Sequence, residues 1–203
     1  MKALILVDIQ NDFIPGGALA VNDGDAIVPI VNKLQNSFDF IVATQDWHPA
    51  NHGSFAENHE DSEVGEVIEL NGLQQILWPV HCVQKSDGAK FHRELNLKKV
   101  IKFFQKGTNP EIDSYSGFYD NGHRKSTGLA DYLKENNISD VYICGLATDY
   151  CVKFTALDAK AEGFKTFVIE DACRGVELNT GDVQKALEEM KNDGCIIVNS
   201  EMI

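Results

Sequence analysis

The chain has 203 residues, 43% of them apolar and 24% charged, which fits a folded unit with a full-sized core and excludes a disordered or fibrous chain. Asp plus Glu outnumber Lys plus Arg by 31 to 18, and the net charge of −13 argues against nucleic acid and against an anionic membrane surface as partners. The first apolar run, residues 3–7, is too short for a secretory core, and no stretch approaches the roughly 20 apolar residues of a membrane span, so a cytoplasmic location is expected.

In chain order, residues 3–7 read as a buried strand, followed at once by Asp8. Residues 26–34 place Ile27, Ile30, Val31 and Leu34 on one helical face. A second apolar strand at 40–43 leads into Asp46-Trp47-His48-Pro49, and a long irregular stretch is expected over 46–71. A third strand at 100–104 precedes Lys106, and 107–126 forms a second irregular stretch. A helix over 129–134 follows Thr127 as a candidate N-cap. Residues 141–144 make a fourth strand that breaks at Gly145, and Cys151 opens a helix running to 162 and stopping at Gly163. A strand at 166–169, a helix at 183–192 ending at Gly194, and a strand at 195–198 complete the chain. This alternation predicts an α/β fold of three layers, with a mostly parallel sheet of about six strands and helices on both faces. No repeat or linker divides residues 1–203, so one domain is expected.

Ligand sites in open α/β sheets lie beyond the carboxyl ends of the strands, and long irregular stretches starting there are usually functional. Asp8, Lys106 and Cys151 each follow a predicted strand, so a parallel sheet brings them to one rim as base, charge partner and nucleophile. Cys151 at a helix N-terminus would have its pKa lowered, favouring a thiolate. Each residue alone also has a plain reading: Asp8 as a turn carboxylate, Lys106 as a solvated lysine, Cys151 as a buried structural thiol. Cys82, Cys144, Cys173 and Cys195 show no metal-ligand CxxC spacing and default to packing as free thiols in a reducing compartment.

Asp46 and His48 are two apart and share a face when extended, and His81 is a candidate third partner. One carboxylate and two imidazoles suit zinc, iron or manganese with open positions left over, although histidines held by hydrogen bonds would give the same pattern. His52, His59, His92 and His123 sit in polar loop sequence and are weaker candidates. Glu57, Glu60, Asp61, Glu63 and Glu66 read as a solvated loop face, with Glu63 or Glu66 a remote candidate for the metal.

These segments together resemble a known family. Leu6-Val7-Asp8-Ile9-Gln10-Asn11-Asp12-Phe13, Thr44-Gln45-Asp46-Trp47-His48-Pro49 with Asn51-His52-Gly53-Ser54-Phe55, and Trp78-Pro79-Val80-His81-Cys82 are three of the matching pieces. Lys106-Gly107, Tyr115-Ser116-Gly117-Phe118 and Gly145-Leu146-Ala147-Thr148-Asp149-Tyr150-Cys151-Val152 follow in the same order. The chain resembles the nicotinamidases, also called pyrazinamidases, of the isochorismatase-like cysteine hydrolases. The resemblance implies hydrolysis of nicotinamide to nicotinate and ammonia through a cysteine thioester, activity on pyrazinamide, and a role in NAD salvage. It implies Cys151 as nucleophile, Asp8 as proton carrier and Lys106 as the cation holding the pair. Ala147 and Cys151 N–H groups would form the oxyanion hole, with a cis peptide at Leu146–Ala147. Asp46, His48 and His81 would bind one divalent metal (zinc foremost, otherwise iron or manganese) that anchors the pyridine nitrogen, and Phe13, Trp78 and Tyr115 would line the ring pocket. The partner is a small-molecule substrate, with a homo-oligomer left open. The nearest alternative is a related amidohydrolase of N-carbamoyl or ureido substrates, which needs no such metal set. An isochorismatase proper lacks the nucleophilic cysteine. A non-haem iron oxygenase would leave Asp8, Lys106 and Cys151 idle, and a non-catalytic redox or metal-binding protein would leave the corner at 147–151 unexplained.

Overall fold

The structure, a computed structural model, describes residues 1–203. Six strands form one parallel sheet: β1 (Lys2–Val7), β2 (Ile41–Asp46), β5 (Lys102–Lys106), β6 (Asp140–Leu146), β7 (Lys165–Arg174) and β8 (Ile196–Val198), in the order β5-β2-β1-β6-β7-β8. The helices are α1 (Val28–Leu34), α2 (Leu129–Glu135), α3 (Lys153–Ala161) and α4 (Asp182–Asn192). From β1 the chain winds outward to β2 and β5. It then crosses back and winds the other way from β6 to β8, and right-handed crossovers in opposite directions put helices on both faces. The reversal falls between β1 and β6, a crevice where open α/β sheets bind ligands. Alanines, valines, leucines and isoleucines of β1 and β6, buried on both faces as parallel strands require, sit at the centre of a 45-residue core cluster. No helix is long and apolar enough to cross a membrane.

All six expected strands are present, but the carboxyl ends of β2, β5, β6 and β7 run further than the apolar runs. Asp46 is the last residue of β2 and pairs with Lys106, the last of β5. Ladder hydrogen bonds thus fix two polar side chains side by side, where sequence alone placed them in the following loops. The stretch 46–71 is not wholly irregular. It contributes β3 (Val67–Leu70), which pairs antiparallel with β4 (Leu73–Ile76) in a separate hairpin. Its turn is Asn71-Gly72, both at positive φ (50° and 81°), the pairing a tight two-residue hairpin turn selects. Thr127 does accept the Leu129 N–H at 3.2 Å, although Gly128 occupies the cap position.

Cys151 does not open the helix. It sits in a π-type turn, Thr148–Val152, that precedes α3, with the Val152 N–H reaching back to the Ala147 carbonyl at 3.0 Å. Such wide turns concentrate at functional positions.

Candidate active site

Four adjacent strand ends supply the site. Asp8 follows β1 in the left-handed region (φ 46°), which aspartate tolerates better than most residues, and it is fully buried. Lys106 is buried with it, and its Nζ lies 2.9 Å from Asp8 Oδ2, 2.5 Å from Asp46 Oδ1, 2.8 Å from the Ser114 carbonyl and 3.4 Å from Cys151 Sγ. A buried ammonium persists only when so paired. Burial alone would lower its pKa; Asp46, then Asp8, outweigh that and hold it well above the usual lysine value. Asp46 is likewise kept ionised: burial opposes the charge, and Lys106 followed by His48 overcome it.

Asp8 goes the other way. Burial raises its pKa to about 6, and Lys106, Thr44 and their hydrogen bonds only partly offset that. Cys151 also departs from the expectation of a lowered pKa: burial pushes the thiol well above its usual value, and Lys106 counters only in part. Burial is the largest cause, and the neighbouring charges do not offset it. Asp8, Asp46 and Lys106 already sum to −1, and a resting thiolate would add a second uncompensated negative charge in a buried space. These charges favour a neutral thiol beside a carboxylate, and a divalent ion held by Asp46, His48 and His81 would shift the balance toward the thiolate.

Asp46 faces two ways. Its Oδ1 holds Lys106, while its Oδ2 faces His48 Nε2 at 3.6 Å and His81 Nε2 at 4.0 Å. His48 Nδ1 is bonded to the Gly107 carbonyl at 2.9 Å and His81 Nδ1 to the Pro79 carbonyl at 2.8 Å. Carbonyls only accept, so both rings carry a proton on Nδ1 and turn Nε2 toward Asp46, the orientation that metal-ligating histidines need; burial lowers the His48 pKa, but the Asp46 carboxylate more than offsets this and raises it, so His48 gives up an Nε2 proton when it binds a cation. His48 Nε2 is buried with no hydrogen-bond partner. The three ligand atoms lie within 4.8 Å of one another. The residues therefore fit a divalent cation of the zinc type, three protein donors with room for more. Burial and His48 hold His81 down at about 4, so it stays neutral as a ligand must. Gly107 makes the arrangement possible: it sits at φ 63°, and a Cβ there would stand 2.3 Å from His48 Cε1.

Cys151, Ala147, Asp46, His81, Phe13, Trp78 and Tyr115 all line one narrow cavity of about 30 Å³. Phe13 packs against His81 (ring centroids 5.5 Å apart), and Trp78 Nε1 donates to Tyr115 Oη at 3.1 Å, which fixes two aromatic walls. The peptide Leu146–Ala147 is cis.

The Isochorismatase domain model matches residues 2–202. The chain belongs to the isochorismatase family. Within it, the chain is 50% identical over 200 residues to the nicotinamidase of Escherichia coli (strain K12), an alignment covering 97% of this chain and 93% of that protein. A solved nicotinamidase/pyrazinamidase of Acinetobacter baumanii superposes with a TM-score of 0.96 at 49% identity, covering 99% of this chain and 97% of the other. A pyrazinamidase of Pyrococcus horikoshii, solved in complex with zinc, gives a TM-score of 0.79 at 42% identity, with 98% of each chain covered.

This isochorismatase-family site also uses residues that sequence reasoning missed. Leu19, Asp113, Tyr150 and Val176 complete the pocket wall. Gln10 pairs with the Asp46 backbone through both ends of its amide (2.8 and 2.9 Å), and its place two residues after Asp8 was the available signal. His52 is fully buried against His48, with ring centroids 4.4 Å apart, rather than in a polar loop. The Ser54 N–H donates to its Nδ1, so its proton lies on Nε2 and it does not offer a ligand lone pair there. His59 and His123 are held by the Gly53 carbonyl and Asp158, and the His92 Nδ1 accepts from the Glu94 N–H. Glu57, Glu60, Asp61, Glu63 and Glu66 are exposed, and Glu66 accepts from the Glu63 N–H instead of reaching inward. The five cysteines are all free and buried.

Proposed function

We propose that the chain hydrolyses nicotinamide to nicotinate and ammonia, and pyrazinamide by the same route, as a single-domain cytoplasmic enzyme returning the pyridine ring to NAD synthesis. The observation that carries this reading is the shared pocket: the Cys151 thiol and the metal-capable Asp46 and His81 face one aromatic-walled cavity. Buried thiols without a single disulfide support the reducing compartment.

Asp8 takes the Cys151 proton as the sulfur attacks the amide carbon. The charge then collects on the amide oxygen, where the N–H groups of Ala147 and Cys151 would receive it; donors of this kind are each worth about 3–4 kcal/mol in comparable sites. Protonated Asp8 gives its proton to the departing nitrogen, the C–N bond breaks, and ammonia leaves an acyl-thioester. Asp8, ionised again, then takes a proton from water, whose oxygen attacks the thioester; the C–S bond breaks, Asp8 returns that proton to the sulfur, and the acid leaves as nicotinate with its own proton lost to solvent. Lys106 keeps the two carboxylates and the sulfur in register and compensates the charge as it moves. Asp46, His48 and His81 would hold a divalent metal, zinc by the donor set, which when bound supplies an electron-pair acceptor for the ring nitrogen. Stacking on Phe13 and edge contacts with Trp78 and Tyr115 complete the grip on the ring.

The test is a side-by-side assay of the zinc-loaded protein with nicotinamide, pyrazinamide and an N-carbamoyl amino acid. Ammonia release from the two heterocyclic amides, and little from the ureido compound, is expected; the opposite order would replace this reading with the ureido alternative, which leaves Asp46, His48 and His81 without a task. The pH profile is a second check. Asp8 works as a base only when ionised, and its pKa is raised to about 6, so kcat/KM should fall as pH drops through about 6. A rate that stays flat well below that value contradicts Asp8 as the base.

A further inference from the structure

Thr44 lies two residues before Asp46 on β2, is fully buried, and has no role in the reaction described above. Its hydroxyl donates to Asp8 Oδ1 at 2.6 Å, the short distance of an O–H bonded to an ionised carboxylate. A threonine has one O–H to give, so that donor is committed.

The side chain has little freedom to do otherwise. Two heavy atoms on Cβ restrict its χ1. Its methyl sits against Gly117, where a Cβ would come within 2.6 Å of Thr44 Cγ2, and Gly117 is itself tied down by its N–H to Thr155 Oγ1 at 2.9 Å. The hydroxyl is thereby aimed at Asp8. The other carboxylate oxygen, Oδ2, faces the Lys106 ammonium at 2.9 Å and has no second partner. One oxygen is bonded to a hydroxyl on β2, and the other faces the ammonium in the site.

We propose that Thr44 is a positioning residue that decides which oxygen of Asp8 moves the proton, occupying Oδ1 so that Oδ2 is the atom that accepts it from Cys151 and returns it to the leaving nitrogen. This rests on the reading of Asp8 as the base. In the acylation step the S–H bond breaks and an O–H bond forms on Oδ2, while the sulfur electron pair makes the bond to carbon. On collapse the C–N bond breaks and the same proton passes from Oδ2 to nitrogen. The titratable and charged groups facing Asp8 are Lys106 from β5, Asp46 from β2 and Cys151 from the π-type turn; Thr44 is the neutral group that sets the carboxylate's direction among them. Its hydroxyl also pulls the Asp8 pKa down against the rise that burial causes.

The test compares Thr44→Val, which keeps the shape and deletes the hydroxyl, with Thr44→Ser, which keeps the hydroxyl and deletes the methyl, both zinc-loaded and assayed with nicotinamide across pH. The valine variant should lose about 10–100-fold in kcat/KM on the plateau. Its acid limb should move to higher pH by about one unit, because the ionised carboxylate has lost a donor. The serine variant should keep the limb at the wild-type position. An unmoved limb in Thr44→Val, or a limb displaced equally in Thr44→Ser, overturns the proposal. If the valine variant does not fold, Thr44→Ala against Thr44→Ser isolates the hydroxyl in the same way. Asp8→Asn separates the two layers of the argument: activity retained there removes the base assignment itself, whereas an inactive Asp8→Asn beside an unshifted Thr44→Val removes only the role of Thr44.

Discussion

Cys151→Ala should leave a folded protein that still takes up nicotinamide and releases no ammonia above background, a loss of about 10⁴-fold or more in kcat. Every other part of the site would remain: Asp8 as acceptor, Lys106 as counter-charge, the N–H groups of the corner and the aromatic walls. What disappears is the only atom placed to attack, since Sγ is the soft nucleophile 3.4 Å from Lys106. The expected stability is the more discriminating half of this prediction. A neutral resting thiol can be replaced by a methyl group without disturbing the charges of Asp8, Asp46 and Lys106, so Tm should change by only a few degrees, as for the loss of one buried atom. A resting thiolate paired with Lys106 would instead leave a buried cation short of a partner when removed, a change costing several kcal/mol. Ammonia assay, intact-mass measurement for the acyl adduct in the wild type, and calorimetry of both proteins decide between these outcomes. Wild-type ammonia release from Cys151→Ala would end the nucleophile assignment.

The neutral thiol was the part of the site least visible in the chain. The strand–turn–helix pattern around residues 141–163 identifies the corner, but the pKa depends on how many charges converge there, and Asp46 is 105 positions away in sequence. The strand-end placement of Asp8, Lys106 and Cys151 was legible because parallel strands buried on both faces produce uniform apolar runs, and a polar residue closing such a run is conspicuous. Thr44 and Gln10 were not, since a threonine within a strand and a glutamine after one are ordinary residues until a partner is known. His52 was misread because its neighbours Asn51 and Gly53 look like open loop, although the segment folds inward over His48. The hairpin of β3 and β4 was hidden by its short, half-exposed strands, and the Asn71-Gly72 pair was its one strong signal. The metal set lay between these cases: residue types and order pointed to Asp46, His48 and His81, while the tautomers that make them ligands depend on the carbonyls of Gly107 and Pro79.

Stripping the metal should lower kcat/KM for nicotinamide by about 10²–10³-fold, with zinc restoring it, because a ring that slips by an ångström loses that much of its alignment with the thiol. The loss should depend on the ring nitrogen. Benzamide has the same amide and ring size but no nitrogen to anchor, so it should be a poor substrate that is equally poor with and without metal. This comparison separates positioning from a direct effect on the thiol. Asp46 is shared, its Oδ1 on Lys106 and its Oδ2 in the metal set, so a metal acting through Lys106 on Cys151 would depress both substrates alike. His81→Ala removes one donor without touching the Lys106 contacts, and zinc binding measured by chelator competition should weaken by well over tenfold while Cys151 alkylation proceeds at its wild-type rate. If exhaustive chelation leaves kcat/KM for nicotinamide unchanged, the anchoring role falls and the Asp8, Lys106 and Cys151 chemistry stands by itself, as the Cys151→Ala result does not depend on any metal.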